Sequence, residues 1–320
     1  MSNPSLPACA VLDAAEVAKP FRDELKLKVS SMIEKPLLVG FLGNDDPAAR
    51  KYAKWTAKSC AEVGIRFELR EVPRVELEDR IIDANADSSV HGIMVYYPCF
   101  GPSIDQYLQN VVAKEKDVEG LNFQFRYNMY HNIRFLDKEE KLKSTLPCTP
   151  LAVVKVLEHV AVYNPKLPFG NRLHGKHICV INRSEVVGRP LAAMLANDGA
   201  KVWSVDVDNV LIFSRGVGLK HRNHKVSEST QKLDEILPLC DVVISGVPSP
   251  SYKISTASLK EGVVAINFSS AENFEASVVE RASFYIGSVG KVTVAMLERN
   301  LVRSVEYQLE QRTIASKVDK

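Results

Sequence analysis

The sequence has no apolar run long enough to span a membrane and no excess of charge of either sign. Its 320 residues include 41 basic and 39 acidic side chains, for a formal net charge of +2. A membrane span needs roughly 18 consecutive apolar residues, and a nucleic-acid site needs a concentrated basic surface. We therefore predict a protein with neither a membrane nor a nucleic-acid partner.

The six cysteines are widely spaced, with no C-x-x-C pair and no grouping with histidine. This spacing favours neither a disulfide framework nor a structural metal, so we expect no metal site. The first 20 residues lack the basic segment of a signal peptide and the arginine-rich bias of a transit peptide. We expect a cytoplasmic protein.

Short apolar or β-branched runs recur along the chain, and each is followed by a segment of helical period. The runs are PLLVGFLG, IRFELREV and HGIMVYYP in the first half, then HICVIN, KVWSVD, DVVISGVP and GVVAINF in the second. This alternation predicts an α/β fold with parallel sheets covered by helices. A chain of about twice the usual domain length predicts two such domains.

The boundary between the domains falls near Thr149, which we expect to cap a helix that starts at Pro150. The tail from Thr293 is predicted to be a helix with one apolar face and charges elsewhere, so that it packs back on the body of the protein. That face consists of Val294, Leu297, Leu301, Val305 and Leu309.

One dense basic segment, Lys220 to Lys225, contains His221 and His224. Histidines in such a segment could serve a phosphate or a metal ion. A solvated surface insertion is the far commoner use of a short charge run, and we predict that here.

The stretch CVINRSEVVGRP, residues 179–190, has the layout of a dinucleotide-binding loop but contains a single glycine, Gly188. In such a loop a strand ends at a helix N-terminus, whose free N–H groups bind a pyrophosphate. Arg183 and Ser184 are placed to meet its oxygens. With only one glycine, an ordinary strand-turn-helix explains the stretch equally well.

The next strand, KVWSVD, ends on Asp206, close to the separation of about 20 residues expected for the acid that binds the adenosine ribose. A carboxylate at that position accepts a hydrogen bond from a free 2′-hydroxyl and repels a 2′-phosphate. Asp206 could instead merely open a turn. The acid favours a nucleotide site, with NAD rather than NADP as the cofactor.

Four stretches occur in a fixed order: KYAKWTAK with Tyr52, KEKDVEGLN with Asp117 and Glu119, LPCTP with Cys148, and NRSEVVGRP followed far downstream by GSVGKVTVAML. Together they resemble the methylenetetrahydrofolate dehydrogenase/cyclohydrolase family over nearly the whole chain. The resemblance implies two α/β domains, usually in a homodimer, with folate between an N-terminal domain and a Rossmann domain. We expect residues 1–149 and 293–320 to form the first domain, to which the last helix returns, and residues 150–292 to form the second.

The resemblance also implies a reaction in one-carbon metabolism. The dehydrogenase step moves a hydride from methylenetetrahydrofolate to the nicotinamide and gives methenyltetrahydrofolate, which bifunctional members then hydrolyse. The cofactor-binding residues implied by the match are Asn182, in the usual place of the first glycine, Arg183, Ser184, Val187, Gly188 and Arg189.

On the folate side the resemblance implies that Tyr52 stacks on or hydrogen-bonds the pterin, and that Glu119, with Asp117 beside it, accepts hydrogen bonds from pterin N–H groups. A packing role for the tyrosine, and a solvated or turn-anchoring role for the acids, are the alternatives. Cys148 precedes a predicted helix N-terminus, where the helix dipole favours a thiolate. It is a candidate reactive group near folate, and a small buried residue is an equal alternative.

Two departures from the family pattern concern hydrolysis. Thr56 stands where the Y-x-x-x-K pattern has lysine, and Tyr96 stands where the V-Q-x-P pattern has glutamine. At about 100° per residue, Lys54 and Lys58 lie on other faces of the helix and cannot replace it. Because threonine does not titrate near neutral pH and tyrosine has no amide, we predict that cyclohydrolase activity is absent or very low while hydride transfer survives.

Other departures concern the cofactor. NADP-using members carry a serine after the second Rossmann strand, where this chain has Val207, so Asp206 and Val207 both favour NAD. In this respect the chain is similar to the NAD-dependent, dehydrogenase-only fungal branch of the family. Glu119 replaces the usual aspartate of K-D-V-D-G, and Lys291 replaces a proline in the last glycine-rich loop, with an open role.

Two alternatives remain. A bifunctional NADP-dependent enzyme is disfavoured by Thr56, Tyr96 and Val207. A catalytically silent nucleotide-binding regulator is disfavoured by the intact folate motifs, for which a regulator has no need.

Overall fold

The computed structural model describes residues 9–216 and 223–318, with side chains described as far as residue 310. In this part of the chain the strands are β1 (Ala10–Val11), β2 (Leu37–Leu42), β3 (Arg66–Glu71), β4 (Gly92–Val95), β5 (His177–Ile181), β6 (Lys201–Val205), β7 (Val210–Arg215), β8 (His224–Ser229), β9 (Val242–Ser245), β10 (Val263–Asn267) and β11 (Ala282–Ile286). The helices are α1 (Ala14–Ser31), α2 (Pro47–Val63), α3 (Leu77–Ala86), α4 (Pro102–Val111), α5 (Phe123–Tyr130), α6 (Cys148–His159), α7 (Gly188–Asn197), α8 (Leu233–Ile236) and α9 (Gly290–Val318).

The chain forms two compact units. Unit 1 comprises residues 9–17, Asn128–Ile133 and the described part of Thr149–Thr293. Unit 2 comprises Ala18–Tyr127, Arg134–Cys148 and residues 294–318. The domain boundaries proposed from the sequence stay a prediction.

Unit 1 contains an eight-stranded sheet in the order β1-β11-β10-β9-β5-β6-β7-β8. The strand order reverses at β5: the chain continues through α7 to β6 on one side, whereas β9 pairs with β5 on the other. In open α/β sheets such a reversal leaves a crevice at the carboxyl ends of the two central strands, where ligands bind. The loop after Ile181 therefore begins at the place where a nucleotide is expected.

Unit 2 contains a three-stranded parallel sheet in the order β3-β2-β4. Its order also reverses, at β2, so the carboxyl ends of β2 and β4 flank a second crevice. All the residues of β4 and all but the first of β2 are buried, as expected for parallel strands with both faces covered. The α/β fold with covered parallel sheets that the alternation predicts is confirmed.

Helix α2 carries much of the candidate site and has well-defined ends. The Asp46 side chain accepts a hydrogen bond from the Ala48 N–H at 2.9 Å, and Pro47 occupies the first turn. Gly64, with a left-handed φ of 93°, ends the helix and donates to the Cys60 and Ala61 carbonyls. These ends fix which side chains of α2 face the interior.

An antiparallel hairpin in unit 1 was not predicted from the sequence. Strands β7 and β8 are antiparallel to their neighbours, so the sheet is not wholly parallel. His224 belongs to β8, is half-buried, and stacks on Phe213 with the ring centroids 5.4 Å apart, so it is not part of a solvated insertion. Of the rest of the basic segment, residues 220–222, including His221, lie outside the described residues.

The last helix is confirmed as a long helix with a buried apolar face, except at one position. Val294, Leu297, Leu301 and Val305 are buried, whereas Leu309 is 43% exposed. Asn300 ties the helix to unit 2 by donating from Nδ2 to the Val118 carbonyl at 2.9 Å. Among the described residues, no helix has the length and apolar character that crossing a membrane requires.

Candidate active site

In unit 2 the residues for which the family resemblance implies a folate role lie around the buried face of α2. Thr56 is fully buried, and its hydroxyl donates to the Tyr52 carbonyl at 3.0 Å. The Tyr52 and Tyr96 rings pack edge to face, with centroids 6.0 Å apart and planes at 83°. The structure therefore brings together Tyr52, Thr56 and Tyr96, whose importance the sequence analysis argued separately.

The two lysines near Tyr52 do not reach this face. Lys54 and Lys58 are exposed, as the helical spacing predicts, whereas Thr56 between them is buried. The Tyr96 hydroxyl is buried without a hydrogen-bond partner among the described residues. Burial raises the pKa of Tyr96 well above its usual value, and the nearby Thr56 hydroxyl opposes that rise only in part.

Glu119 lies at the carboxyl end of β4. Its Oε2 accepts a hydrogen bond from the Val95 N–H at 3.0 Å, and the residue is half-buried. Desolvation raises the pKa of the Glu119 carboxyl to about 8; the Val95 N–H opposes the rise, and the charge of Asp117 adds to it. The Val95 N–H thus fixes one carboxylate oxygen of Glu119, and its role as an acceptor for the pterin stays a prediction.

Asp117 anchors the turn that carries Glu119. Its Oδ1 accepts from the N–H groups of Glu119 and Gly120, both at 2.9 Å, and its Oδ2 accepts from the Asn122 N–H at 2.8 Å. Desolvation raises the pKa of Asp117 to about 6 against these three N–H groups. The geometry is that of the turn anchor, one of the two roles considered for this residue.

Cys148 lies beside the same turn, because its N–H donates to the Glu119 carbonyl at 3.3 Å. The prediction that Thr149 caps a helix beginning at Pro150 was wrong: α6 begins at Cys148, so both residues lie in its first turn. The Cys148 thiol is therefore within the helix N-terminus rather than ahead of it. It is buried in this position.

Two residues in unit 2 escaped the sequence analysis. Asn44 follows β2 and donates from Nδ2 to the carbonyls of Tyr96 at 2.7 Å and Pro98 at 3.0 Å, which joins the carboxyl ends of β2 and β4. Glu298 lies on the buried side of α9 and is 0% exposed. An asparagine after a strand carries no distinctive signal, and a glutamate amid an exposed-charge pattern is ordinarily placed in solvent.

In unit 1 the loop after β5 has the conformation of a nucleotide-binding turn. Asn182 has a left-handed φ of 82°, which is the conformation a glycine would supply. Its Nδ2 donates to the Gly246 carbonyl at 2.6 Å, which joins the carboxyl ends of β5 and β9 across the crevice. Asn182 therefore adopts the backbone conformation that the first glycine of the usual motif would supply.

Gly188 is required by close backbone approach. A Cβ at this position would lie 1.8 Å from the Asn182 carbonyl oxygen, so no other residue fits without moving the loop. The Ser184 hydroxyl lies 3.2 Å from the Val187 nitrogen and 3.4 Å from the Gly188 nitrogen and accepts from both. The N-terminus of α7 and the loop are therefore packed against each other, as a pyrophosphate-binding turn requires.

Arg183 does not point along the loop towards that helix end. Its guanidinium donates to Ser204 in β6 and to the Asn209 side chain and carbonyl, at 2.8 to 3.1 Å. Its backbone N–H donates to Oδ2 of Asp206 at 3.1 Å. The structure thus couples Arg183 to the acid that ends β6.

Asp206 and Val207 lie where the sequence places them, directly after β6. The Asp206 carboxylate also accepts from the Val207 N–H at 2.9 Å and keeps lone pairs for a further donor. Val207 is 95% exposed. Arg189 is held by Glu185 at 2.7 Å and lies over the Tyr130 ring, and Lys291, whose role was open, pairs with Asp13 at 2.9 Å.

These residues fit a dinucleotide with a free ribose 2′-hydroxyl. The fit rests on three observations in one crevice: the left-handed Asn182, the side-chain-free Gly188 at the start of α7, and an acceptor carboxylate on Asp206. Among the described residues, no three histidine, cysteine or acidic side chains are grouped as metal ligands. The fold and the site define a Rossmann-type nucleotide-binding protein with a second α/β unit that carries a group of acidic and aromatic side chains.

Comparisons with known proteins agree with this class. The catalytic-domain model of the tetrahydrofolate dehydrogenase/cyclohydrolase family matches residues 12–119, and its NAD(P)-binding-domain model matches residues 147–212. The chain is 55% identical to the methylenetetrahydrofolate dehydrogenase [NAD(+)] of Schizosaccharomyces pombe over 94% of this chain and 95% of that protein. The solved NAD-dependent 5,10-methylenetetrahydrofolate dehydrogenase of Saccharomyces cerevisiae is similar with a TM-score of 0.89 and 52% identity, over 94% of this chain and 98% of that one.

Bifunctional relatives are less similar in sequence. The bifunctional protein FolD of Shouchella clausii is 28% identical over 92% of this chain and 97% of that protein. The chain belongs to the tetrahydrofolate dehydrogenase/cyclohydrolase family.

Proposed function

We propose that this protein is an NAD-dependent methylenetetrahydrofolate dehydrogenase of one-carbon metabolism that lacks cyclohydrolase activity. One observation carries the proposal: the chain combines a buried Thr56 between Tyr52 and Tyr96 in unit 2 with an acceptor carboxylate, Asp206, at the end of β6 in unit 1. The first feature removes the proton-transfer group that hydrolysis needs. The second selects the cofactor.

On the folate side, Tyr52 positions the pterin by stacking or hydrogen bonding, and Glu119 accepts its amino and ring N–H groups. Glu119 is suited to this role because the Val95 N–H fixes one oxygen and leaves the other as an acceptor. Asp117 acts through Glu119 by holding the turn. Cys148 contacts the folate region from the first turn of α6.

On the cofactor side, Asn182, Ser184, Val187 and Gly188 shape the turn that receives the pyrophosphate. Asp206 accepts the ribose 2′-hydroxyl, and Val207 offers a 2′-phosphate no partner. Because the Arg183 guanidinium is engaged by Ser204 and Asn209, we assign it to fixing the position of Asp206. When bound, NAD supplies the nicotinamide ring that accepts the hydride.

Hydride transfer needs no proton donor or covalent intermediate, so the residues of the chain contribute alignment and exclusion of water. Hydrolysis of the methenyl bridge needs in addition a group that moves protons near neutral pH. Thr56 cannot do so, and the hydroxyl of Tyr96 stays protonated because burial raises its pKa. The naming of the fungal relatives, which mentions only a dehydrogenase, supports this half of the proposal.

The test is a paired assay on the purified protein. Methenyltetrahydrofolate formation is followed with NAD and with NADP, and its hydrolysis is then followed against the uncatalysed rate. We expect turnover with NAD, much weaker turnover with NADP, and no acceleration of hydrolysis. Efficient NADP use or accelerated hydrolysis would favour a bifunctional NADP-dependent enzyme, and no turnover with either would leave a silent regulator.

We further infer that the enzyme acts as a homodimer in the cytoplasm, without a nucleic-acid partner. The six cysteines, all among the described residues, form no disulfide, which fits a reducing compartment, and the balance of 41 basic and 39 acidic residues fits the absence of nucleic acid. The family habit supports the dimer. Sedimentation analysis and localisation of a tagged chain test these two statements.

A further inference from the structure

Glu298 is a buried acid that the proposed mechanism does not use. It lies on α9 in unit 2, is 0% exposed, and neither carboxylate oxygen has a hydrogen-bond partner among the described residues. The nearest polar groups are the Ser59 hydroxyl and the Cys60 thiol of α2. A buried carboxyl group with so few partners is costly, and such groups concentrate at functional sites.

The position of Glu298 places it behind the folate side of α2. Side chains on a helix lean towards its N-terminus, so Ser59 and Cys60 cover the turn that holds Thr56. Burial is the main cause that raises the pKa of the Tyr52 phenol, and the carboxylates of Glu119 and Glu298 add to the rise when they are ionised.

The three cations nearest to this face in the described part of α1 and α2 are exposed or paired. Lys54 and Lys58 are exposed, and the Arg22 guanidinium, which partly offsets the charge of Glu298, is ion-paired with Glu62. Glu62 itself adds a repulsive charge to Glu298. The folate side of unit 2 should therefore bind a positively charged ligand better than a neutral one of the same shape.

The proposed reaction produces such a cation. One C–H bond of the methylene bridge breaks, its electron pair leaves with the hydrogen to the oxidised nicotinamide, and the bridge becomes a cation shared by its carbon and two nitrogens. The folate is oxidised by two electrons, the nicotinamide is reduced, and no proton leaves the bridge carbon. The positive charge thus moves from the cofactor to the folate.

From this arrangement we infer that Glu298 favours hydride transfer electrostatically, by placing a buried negative charge behind Tyr52 and Thr56 that stabilises the cation forming on the folate. The inference rests on the proposed function and adds a residue to it. Glu298 touches no reacting atom, so it acts through the field at the site.

The Glu298 carboxyl ionises near neutral pH, where its effect on ligand binding can be tested. Desolvation raises the pKa of the Glu298 carboxyl to about 7, against the lowering effects of Ser59, Arg22 and Cys60. The group is mostly neutral below that pH and charged above it. A cation bound nearby favours the charged form, so preference for the cationic ligand is expected to increase as pH rises through 7.

The test compares binding of two folates in the absence of NAD. Affinities for neutral tetrahydrofolate and for the methenyltetrahydrofolate cation are measured by rapid-mixing fluorescence at pH 6 and pH 8. We expect the wild-type preference for the cation to increase about tenfold between these pH values, and Glu298→Gln to show a clearly smaller increase, the remainder coming from ionisation of Glu119. Glu119 is present in both proteins, so the difference between them reports Glu298 alone.

Steady-state kinetics supply a second readout. Glu298→Gln should lower kcat about tenfold at pH 8 with little change in KM for methylenetetrahydrofolate, and Glu298→Asp should recover part of the loss. Glu306→Gln is the matched control, because it removes an exposed, Lys28-paired carboxylate from the same helix. It should behave as wild type.

A wild-type preference that does not change between pH 6 and pH 8 would overturn the inference, even if Glu298→Gln failed to fold. So would a folded Glu298→Gln protein with an unchanged pH dependence. Failure of the wild type to bind either folate would instead overturn the proposed function.

Discussion

The backbone N–H of Val95 donates to Oε2 of Glu119 at 3.0 Å, which holds the acid of the K-D-V-E-G turn against the carboxyl end of β4. Because the turn is anchored separately by Asp117, the orientation of Glu119 does not depend on a ligand. Because Glu119 is already oriented, replacing it should change folate binding without rearranging the turn.

Replacement of Glu119 by glutamine should weaken folate binding. The variant keeps the shape of the side chain but removes the ionised acceptor, so we expect KM for methylenetetrahydrofolate to rise roughly tenfold or more. Since the pKa of Glu119 is raised to about 8, the wild-type KM should fall as pH rises from 7 to 9, when the group becomes charged. A pH-independent KM in the wild type, or an unchanged KM in Glu119→Gln, would contradict the assignment.

Installing the missing proton-transfer group should create some hydrolysis. Thr56 is fully buried, so a lysine there would be desolvated and its pKa lowered towards neutrality. Because Tyr96 packs on this face, we expect Thr56→Lys with Tyr96→Gln to accelerate methenyltetrahydrofolate hydrolysis more than Thr56→Lys alone. Lys54→Thr, at an exposed position, is a control that should leave both activities unchanged, and a folded double variant without hydrolysis would show that these two positions do not limit the reaction.

Removing the charge of Asp206 should relax the choice of cofactor. In Asp206→Asn the side chain keeps its size and one acceptor oxygen, but a 2′-phosphate is no longer repelled. We expect the ratio of kcat/KM for NADP to that for NAD to rise on the order of tenfold, with further gain from Val207→Ser. If the ratio stays constant in both variants, discrimination lies elsewhere in the loop.

Gly188→Ala should weaken cofactor binding while leaving unit 2 intact. The new methyl group would lie 1.8 Å from the Asn182 carbonyl oxygen, so the loop must move. We expect NADH affinity, followed by fluorescence, to fall roughly tenfold or more while folate affinity is unchanged. Asn182→Gly, which retains access to the left-handed conformation, should cost much less than Asn182→Ala.

The seven strands expected from apolar runs all occur. Six of them are buried along most of their length, and parallel strands covered on both faces leave continuous apolar runs, whereas the edge strand β3 is only partly buried. Strand β8 escaped for the opposite reason, because it is mostly exposed and reads as a polar segment. Strands β1, β7 and β11 were also missed. The helix start at Cys148 was misplaced because its N–H bonds to Glu119, a contact between residues distant in sequence.

Features of the candidate site that depend on the residue type at one position could be predicted from the sequence. Features that depend on contacts between distant parts of the chain could not. Thr56 could be placed beside Tyr52 from helical spacing alone. The engagement of Arg183 by Ser204 and Asn209 could not, since it depends on how β6 turns into β7. Glu298 was missed because burial of a charge is a property of the folded chain.

Asn182 shows that a nucleotide-binding loop is specified by backbone angles and contacts more than by residue letters. A glycine supplies the left-handed turn and nothing else, whereas asparagine supplies the same turn and a side-chain amide that links β5 to β9. A search that counts glycines would pass over this loop. A search for residues able to adopt positive φ, followed by one glycine at the helix start, would include it.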